Sequence, residues 1–251
     1  MPHTNATIFA LAWPDTKVTH EGKWYDHPMK WIGAIDKEGY YNAGHAAFML
    51  VNHTNGDVHY FDFGRYQAPI KHGRVRDKET DPDVEVSIKA IIENGEIKNI
   101  EELLLERYNN KACHGTGRLT ASIVHQIDFD KAYKKAKEIQ AREAVKYGPF
   151  EPNGTTCSRL VVQVVVASTN NWLTKFLIRV PYTVSATPRS NNKVLNDCPF
   201  YYEVIDNKVF IKKSKFYFFK RIFVNNLSKA HLNHYSNPRS FVGTERMNRL
   251  A

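Results

Sequence analysis

The stretch HAAFMLV-NHTNGD-VHYFDFGRY, residues 45–66, constrains the fold more than any other part of the chain. Two strand-like runs flank a polar turn that contains Asn55-Gly56. That dipeptide is the strongest short-range hairpin signal, because both residues tolerate the left-handed backbone of a tight turn. With Asn55 and Gly56 as the central turn residues, cross-strand partner numbers total 111. His45 then lies opposite Tyr66, and Asp62 shares the face of His45 because side chains alternate along a strand. His59 points to the other face, and a one-residue slip would exchange the two.

The remaining elements follow from local pattern. TIFALAW (7–13) reads as a strand, as do MKWIGAI (29–35) and the alternating VEVSIKAII (84–92). The charged segment 67–83 reads as a solvated loop. NIEELLLERY (99–108) has helical spacing with acidic residues in its first turn. GTGRLTASIVHQI (115–127) reads as a glycine-opened strand. Asp128 or Asp130 then caps a helix over 131–147, which GPFEPNG (148–154) ends. Beyond residue 190, CPFYYEVI and KVFIKKSKFYFFKRIFV are β-prone runs separated by Asp206-Asn207. The pattern is α+β, with a main domain over 1–190 and a basic, aromatic-rich β section over 191–251 that could belong to the same domain.

Charge is unevenly placed. Residues 191–251 hold 11 Lys/Arg and 4 Asp/Glu, so they carry +7 of the net +9. One use for such a section is to hold nucleic acid or an acidic partner; the plainer reading is a strand pair whose lysines solubilise an aromatic face. No apolar run approaches the roughly 18–20 residues of a membrane-spanning helix. TIFALAW stops at Pro14 and is too short for a secretory core, so the expectation is a cytoplasmic protein unless another system delivers it. Three widely spaced cysteines, Cys113, Cys157 and Cys198, argue against a disulfide framework or zinc knuckle and for free thiols. No cofactor or metal is called for. ACHGTGR (112–118) lacks the Lys-Ser/Thr of a phosphate-binding loop.

The chemistry centres on NGTTCSRLVVQVVVAS (153–168). Its β-branched run favours a buried strand by propensity, while Asn153-Gly154 and a Thr155 or Thr156 cap favour a buried helix. In a strand, Cys157 is a small hydrophobe at the core's edge. In a helix it sits in the first turn, where the dipole and free N–H groups stabilise a thiolate and an oxyanion. Such a nucleophile needs a base. Among eleven histidines, His45 stands out because it follows Gly44 and opens a strand. Asp62 is the candidate to orient it, with His59 in reserve. Arg65, Tyr147 and Arg159 are the candidates for binding substrate.

GHAAFMLVNHTNGDVHYFDF, followed much later by NGTTCSRLV, resembles the circularly permuted, NlpC-like branch of the papain-like cysteine hydrolases, which includes lecithin–retinol acyltransferase-like enzymes. The resemblance covers roughly residues 44–66 and 147–165. It implies a small antiparallel sheet packed against helices, with the Cys157 segment helical. It also implies a thiol hydrolase or acyltransferase acting on an amide, ester or thioester carbonyl of a peptide, amide or lipid-ester substrate. Cys157 would attack, His45 would shuttle the proton and Asp62 would fix the imidazole tautomer. The alternative is a non-catalytic binding module that works through residues 191–251.

Overall fold

Eight strands among the described residues form one antiparallel sheet. The computed structural model describes residues 4–19, 26–31, 35, 37–41, 44–179 and 185–218. In chain order the strands are β1 (Ala6–Trp13), β2 (His45–Asn52), β3 (Val58–Gly64), β4 (His72–Arg76), β5 (Leu119–Ile127), β6 (Val145–Lys146), β7 (Phe200–Ile205) and β8 (Lys208–Lys213). They lie in the order β6-β4-β3-β2-β1-β5-β7-β8. Five helices frame the sheet: α1 (Ile100–Asn109), α2 (Phe129–Gln140), α3 (Cys157–Ser168), α4 (Trp172–Arg179) and α5 (Pro188–Leu195).

The alternation of β1 and β2 sorts the interior into two layers. Ile8, Ala10, Ala46, Phe48 and Leu50 meet Leu160, Val161, Val164 and Val165 of α3, with α2, α4 and α5 on the same side. Phe9, Leu11, Trp13, Ala47 and Met49 meet Leu103 and Leu104 of α1 on the other. Both faces of β1 and β2 are therefore covered, which is why these strands read as continuous apolar runs.

The valine run is a helix. Thr156 caps it by accepting a hydrogen bond from Arg159 N at 3.2 Å, and the buried positions fall three and four apart. Each valine costs up to about 0.7 kcal/mol of helix propensity. Full burial of such a side chain contributes about 1.5–3 kcal/mol, so packing outweighs propensity.

The hairpin register differs from the expected one. Ala47 pairs with Asp62 and Val51 with Val58, so partner numbers total 109. The connection is a four-residue loop, 53–56, closed by Asn52 N donating to Asp57 O at 2.9 Å. Gly56 holds φ +73, and a Cβ there would lie 2.4 Å from Ala90 O. The glycine thus serves a close approach of residues 84–91, whose Ala90 N donates to Gly56 O at 2.8 Å. The shift is by two residues, so it keeps every side chain on its expected face and moves Asp62 closer to His45. The two-residue turn with both central residues left-handed occurs instead at Asp206-Asn207, φ 50 and 58, between β7 and β8.

Other elements depart from local pattern. Residues 84–91, expected as a strand, are mostly irregular; Asn99 holds them by accepting from Ile91 N and donating to Lys89 O. Part of the expected loop 67–83 is β4, which pairs with β3 through Asp62–Arg76, Phe63–Val75 and Gly64–Arg74. Of 29–35, the described Met29–Trp31 close a short helix, and residues 32–34 lie outside the described residues. The helix from Asp128 ends at Gln140 rather than 147, and β6 follows. The sheet is larger than the small one expected. It spans the boundary drawn near residue 190, since β7 pairs with β5. The basic run beyond Phe218 lies outside the described residues.

Candidate active site

Cys157 is the first residue of α3 and is 6% exposed. Leu160 N bonds to Thr156 O and Arg159 N to the Thr156 side chain, which leaves the N–H groups of Cys157 and Ser158 without an intrahelical acceptor. His45 opens β2, buried at 8% exposure beneath Trp13, whose ring stacks on it at 5.7 Å. Gly44, at φ +75, makes this possible: a Cβ there would lie 2.8 Å from Trp13 O.

The imidazole stands between two groups. Its Nε2 lies 3.4 Å from Asp62 Oδ2, within ion-pair distance but without a hydrogen bond of standard geometry. The Cys157 thiol interacts with the same ring. Asp62 Oδ2 is crowded. It accepts from Tyr60 OH at 3.1 Å, Tyr66 OH at 3.2 Å and Arg76 Nη2 at 2.6 Å, which accounts for the longer imidazole contact. Arg76 Nε completes a two-pronged pair to Oδ1 at 3.0 Å, and Nη2 also donates to Ala112 O.

Electrostatics separate this cysteine from the other two. Burial opposes a Cys157 thiolate, but the His45 bond and charge, the Ala46 N–H and Ser158 outweigh it, and the thiol is held below its ordinary value. Burial likewise opposes a charged His45, yet Asp62 and Cys157 raise the imidazole to about 9. Burial of Asp62 is outweighed by His45 and Arg76, so its carboxyl is held down. Cys198 also meets a histidine, its Sγ 3.6 Å from His125 Nε2. There burial dominates: together with the Asp197 charge it pushes the thiol up to about 12, and together with His53 it takes the imidazole down to about 4 against the pull of Glu96, so both stay neutral. Burial pushes Cys113 up to about 11.

A family model described as type VI secretion system effector TseH-like matches residues 8–173. That is well over half of the chain. The chain belongs to the TseH-like effector family. The matched span runs from β1 into α4 and contains His45, Asp62 and Cys157. Among solved structures, the crystal structure of the type VI secretion system effector TseH shares the fold with a TM-score of 0.53 at 16% identity; the match covers 84% of this chain and 99% of that one. No curated protein sequence matches the chain.

In this TseH-like chain the remaining candidates occupy different places. Arg159 Nη1 donates to the carbonyls of Gly148 at 3.1 Å and Pro149 at 3.2 Å, tying the approach loop to α3. Tyr147 stacks on Phe63, and Arg65 lies over its ring at 4.9 Å. His59 packs against Phe129 and Tyr133 near the turn end of the hairpin. Sequence reasoning missed Arg76, Tyr60, Tyr66 and Trp13. The alternation in HGRVR was the available signal for Arg76, masked by the charge around it. Loop 112–118 walls the site: His114 stacks on Tyr66 at 5.2 Å, and Gly115 packs so closely on Trp13 that a Cβ would lie 2.2 Å from its ring. Among the described residues no group of His, Cys, Asp and Glu could hold a metal ion, and no helix is long and apolar enough to cross a membrane.

Proposed function

We propose that this TseH-like effector is a thiol hydrolase or acyltransferase of the permuted papain-like kind, acting on an amide, ester or thioester carbonyl. One observation carries the reading: Cys157 stands at a helix N-terminus and interacts with His45, whose Nε2 lies 3.4 Å from the buried Asp62 carboxylate. The Cys157 thiolate attacks the carbonyl carbon, and the displaced electron pair moves onto oxygen. The N–H groups of Cys157 and Ser158 are the donors for that oxyanion. Collapse of the intermediate expels the amine, alcohol or thiol, which takes its proton from the His45 imidazolium and leaves a thioester on Cys157. His45, again neutral, then deprotonates water or an acceptor amine or alcohol, whose attack frees Cys157. Asp62, held ionised by Arg76, stabilises the imidazolium and keeps its ring oriented.

Membership of a secretion-effector family supports delivery of this protein by a type VI secretion system. Iodoacetamide labelling at neutral pH tests the catalytic reading. Cys157 should be modified much faster than Cys113 and Cys198, and His45→Ala should slow it. Equally slow reaction of all three thiols overturns the assignment.

A further inference from the structure

A groove of about 660 Å³ opens beside the catalytic residues, within the size range of ligand sites. Its lining carries Arg189, Lys193, Lys213 and Lys215, together with Arg118, which is paired with Asp15 at 3.3 Å, and one acidic side chain, Glu203. Most of its lining lies beyond residue 173, outside the span matched by the family model.

Two links tie the groove to the site. Pro14, in its lining, directly follows Trp13, which stacks on His45. Asn192, also in the lining, follows Asn191, whose Nδ2 donates to Ser158 O at 2.8 Å in the first turn of α3. These links put the groove on the flank of the site, next to the first turn of α3.

Asn192 narrows the ligand's chemistry. The residue is 8% exposed, and its Nδ2 donates to Thr120 O and Thr120 Oγ1, both at 2.9 Å, which fixes the amide's orientation. Oδ1 has no donor among the described residues. A purely anionic ligand such as a phosphate chain would satisfy the cations but bring no donor to this acceptor. A peptide bearing carboxylates brings both.

We propose that the groove between α5, β7 and β8 is a subsite for an acidic peptide flank of the substrate. This rests on the cysteine-hydrolase reading only for the word substrate; the binding itself does not require catalysis. The cations would fix the carboxylates, and Asn192 Oδ1 would accept a backbone N–H.

The test uses the full chain carrying Cys157→Ala, so that binding is read without turnover. A fluorescein-labelled hexaglutamate peptide is titrated by anisotropy, with tripolyphosphate and a hexamer of thymidylate as competitors. Binding should weaken with salt and fall at least about ten-fold in the exposed double variant Arg189→Glu/Lys215→Glu, with its circular dichroism and Tm unchanged. Asn192→Ala should weaken the peptide and leave tripolyphosphate unaffected. In the Cys157 protein, saturating hexaglutamate should slow iodoacetamide labelling of Cys157. Equal peptide binding by the charge-reversed variant overturns the proposal, and so does tighter binding of the oligonucleotide or of tripolyphosphate than of the peptide. Peptide binding with an unreactive Cys157 would instead overturn the catalytic reading and leave the subsite standing.

Discussion

Asp62→Asn isolates what the buried carboxylate does for the nucleophile. In the native site His45 rises from its ordinary value of 6.5 to about 9 despite burial, and Asp62 is the leading contributor to that rise. At about 1.4 kcal/mol per pH unit, the rise corresponds to roughly 3 kcal/mol in favour of the imidazolium. The substitution removes the charge, so burial regains its pull on the ring and the thiolate–imidazolium pair loses its anchor. A loss of only about 1.4 kcal/mol lowers the pair's population ten-fold. The assay is the iodoacetamide rate of Cys157 against pH, with Cys113 and Cys198 as internal references. Expected are a rate at least about ten-fold slower near pH 6.5 and an acid-side midpoint displaced upward. The same change strands Arg76, 4% exposed, without its carboxylate. Breaking such a pair from one side costs about 3–5 kcal/mol. The double variant Asp62→Asn/Arg76→Met removes the stranded charge and serves as the folded form. An unchanged midpoint in either folded variant refutes the role assigned to Asp62.

Two further predictions concern stability. Asp62 is held below its ordinary value of 3.8, so its contribution is complete above that pH and is lost as pH falls through the folded value. Thermal melts below about pH 4 should therefore show wild-type Tm falling more steeply than that of Asp62→Asn/Arg76→Met; parallel curves refute the linkage. Gly44→Ala meets the Trp13 carbonyl and Pro14 backbone at 2.8 and 3.0 Å, whereas Gly95→Ala, at φ +79, meets nothing within 4 Å. Left-handed backbone alone costs about 1–2 kcal/mol in each. Gly44→Ala should lower Tm further and slow Cys157 labelling, while Gly95→Ala leaves labelling unchanged.

Much of the candidate site was legible because its signals are local. Period-two alternation put His45 and Asp62 on one face, and a two-residue error in register could not alter that parity. Thr155 or Thr156 before the valine run offered a helix cap, which the structure assigns to Thr156, and Gly44 before His45 marked a close backbone approach. The charged segment 72–76 was read as solvent-facing, because no local pattern reveals that Arg76 will find Asp62 on the neighbouring strand.

Sequence by itself therefore determined the α+β class, the hairpin and its faces, and the residue types available for chemistry. Tertiary structure alone decided that LVVQVVVAS is helical, because burial against the sheet outweighs β-branched propensity. It also decided that Arg76, Tyr60 and Tyr66 converge on Asp62, and that β7 and β8 extend the main sheet through β5. These outcomes depend on contacts between segments distant in sequence, whose energies no local window contains.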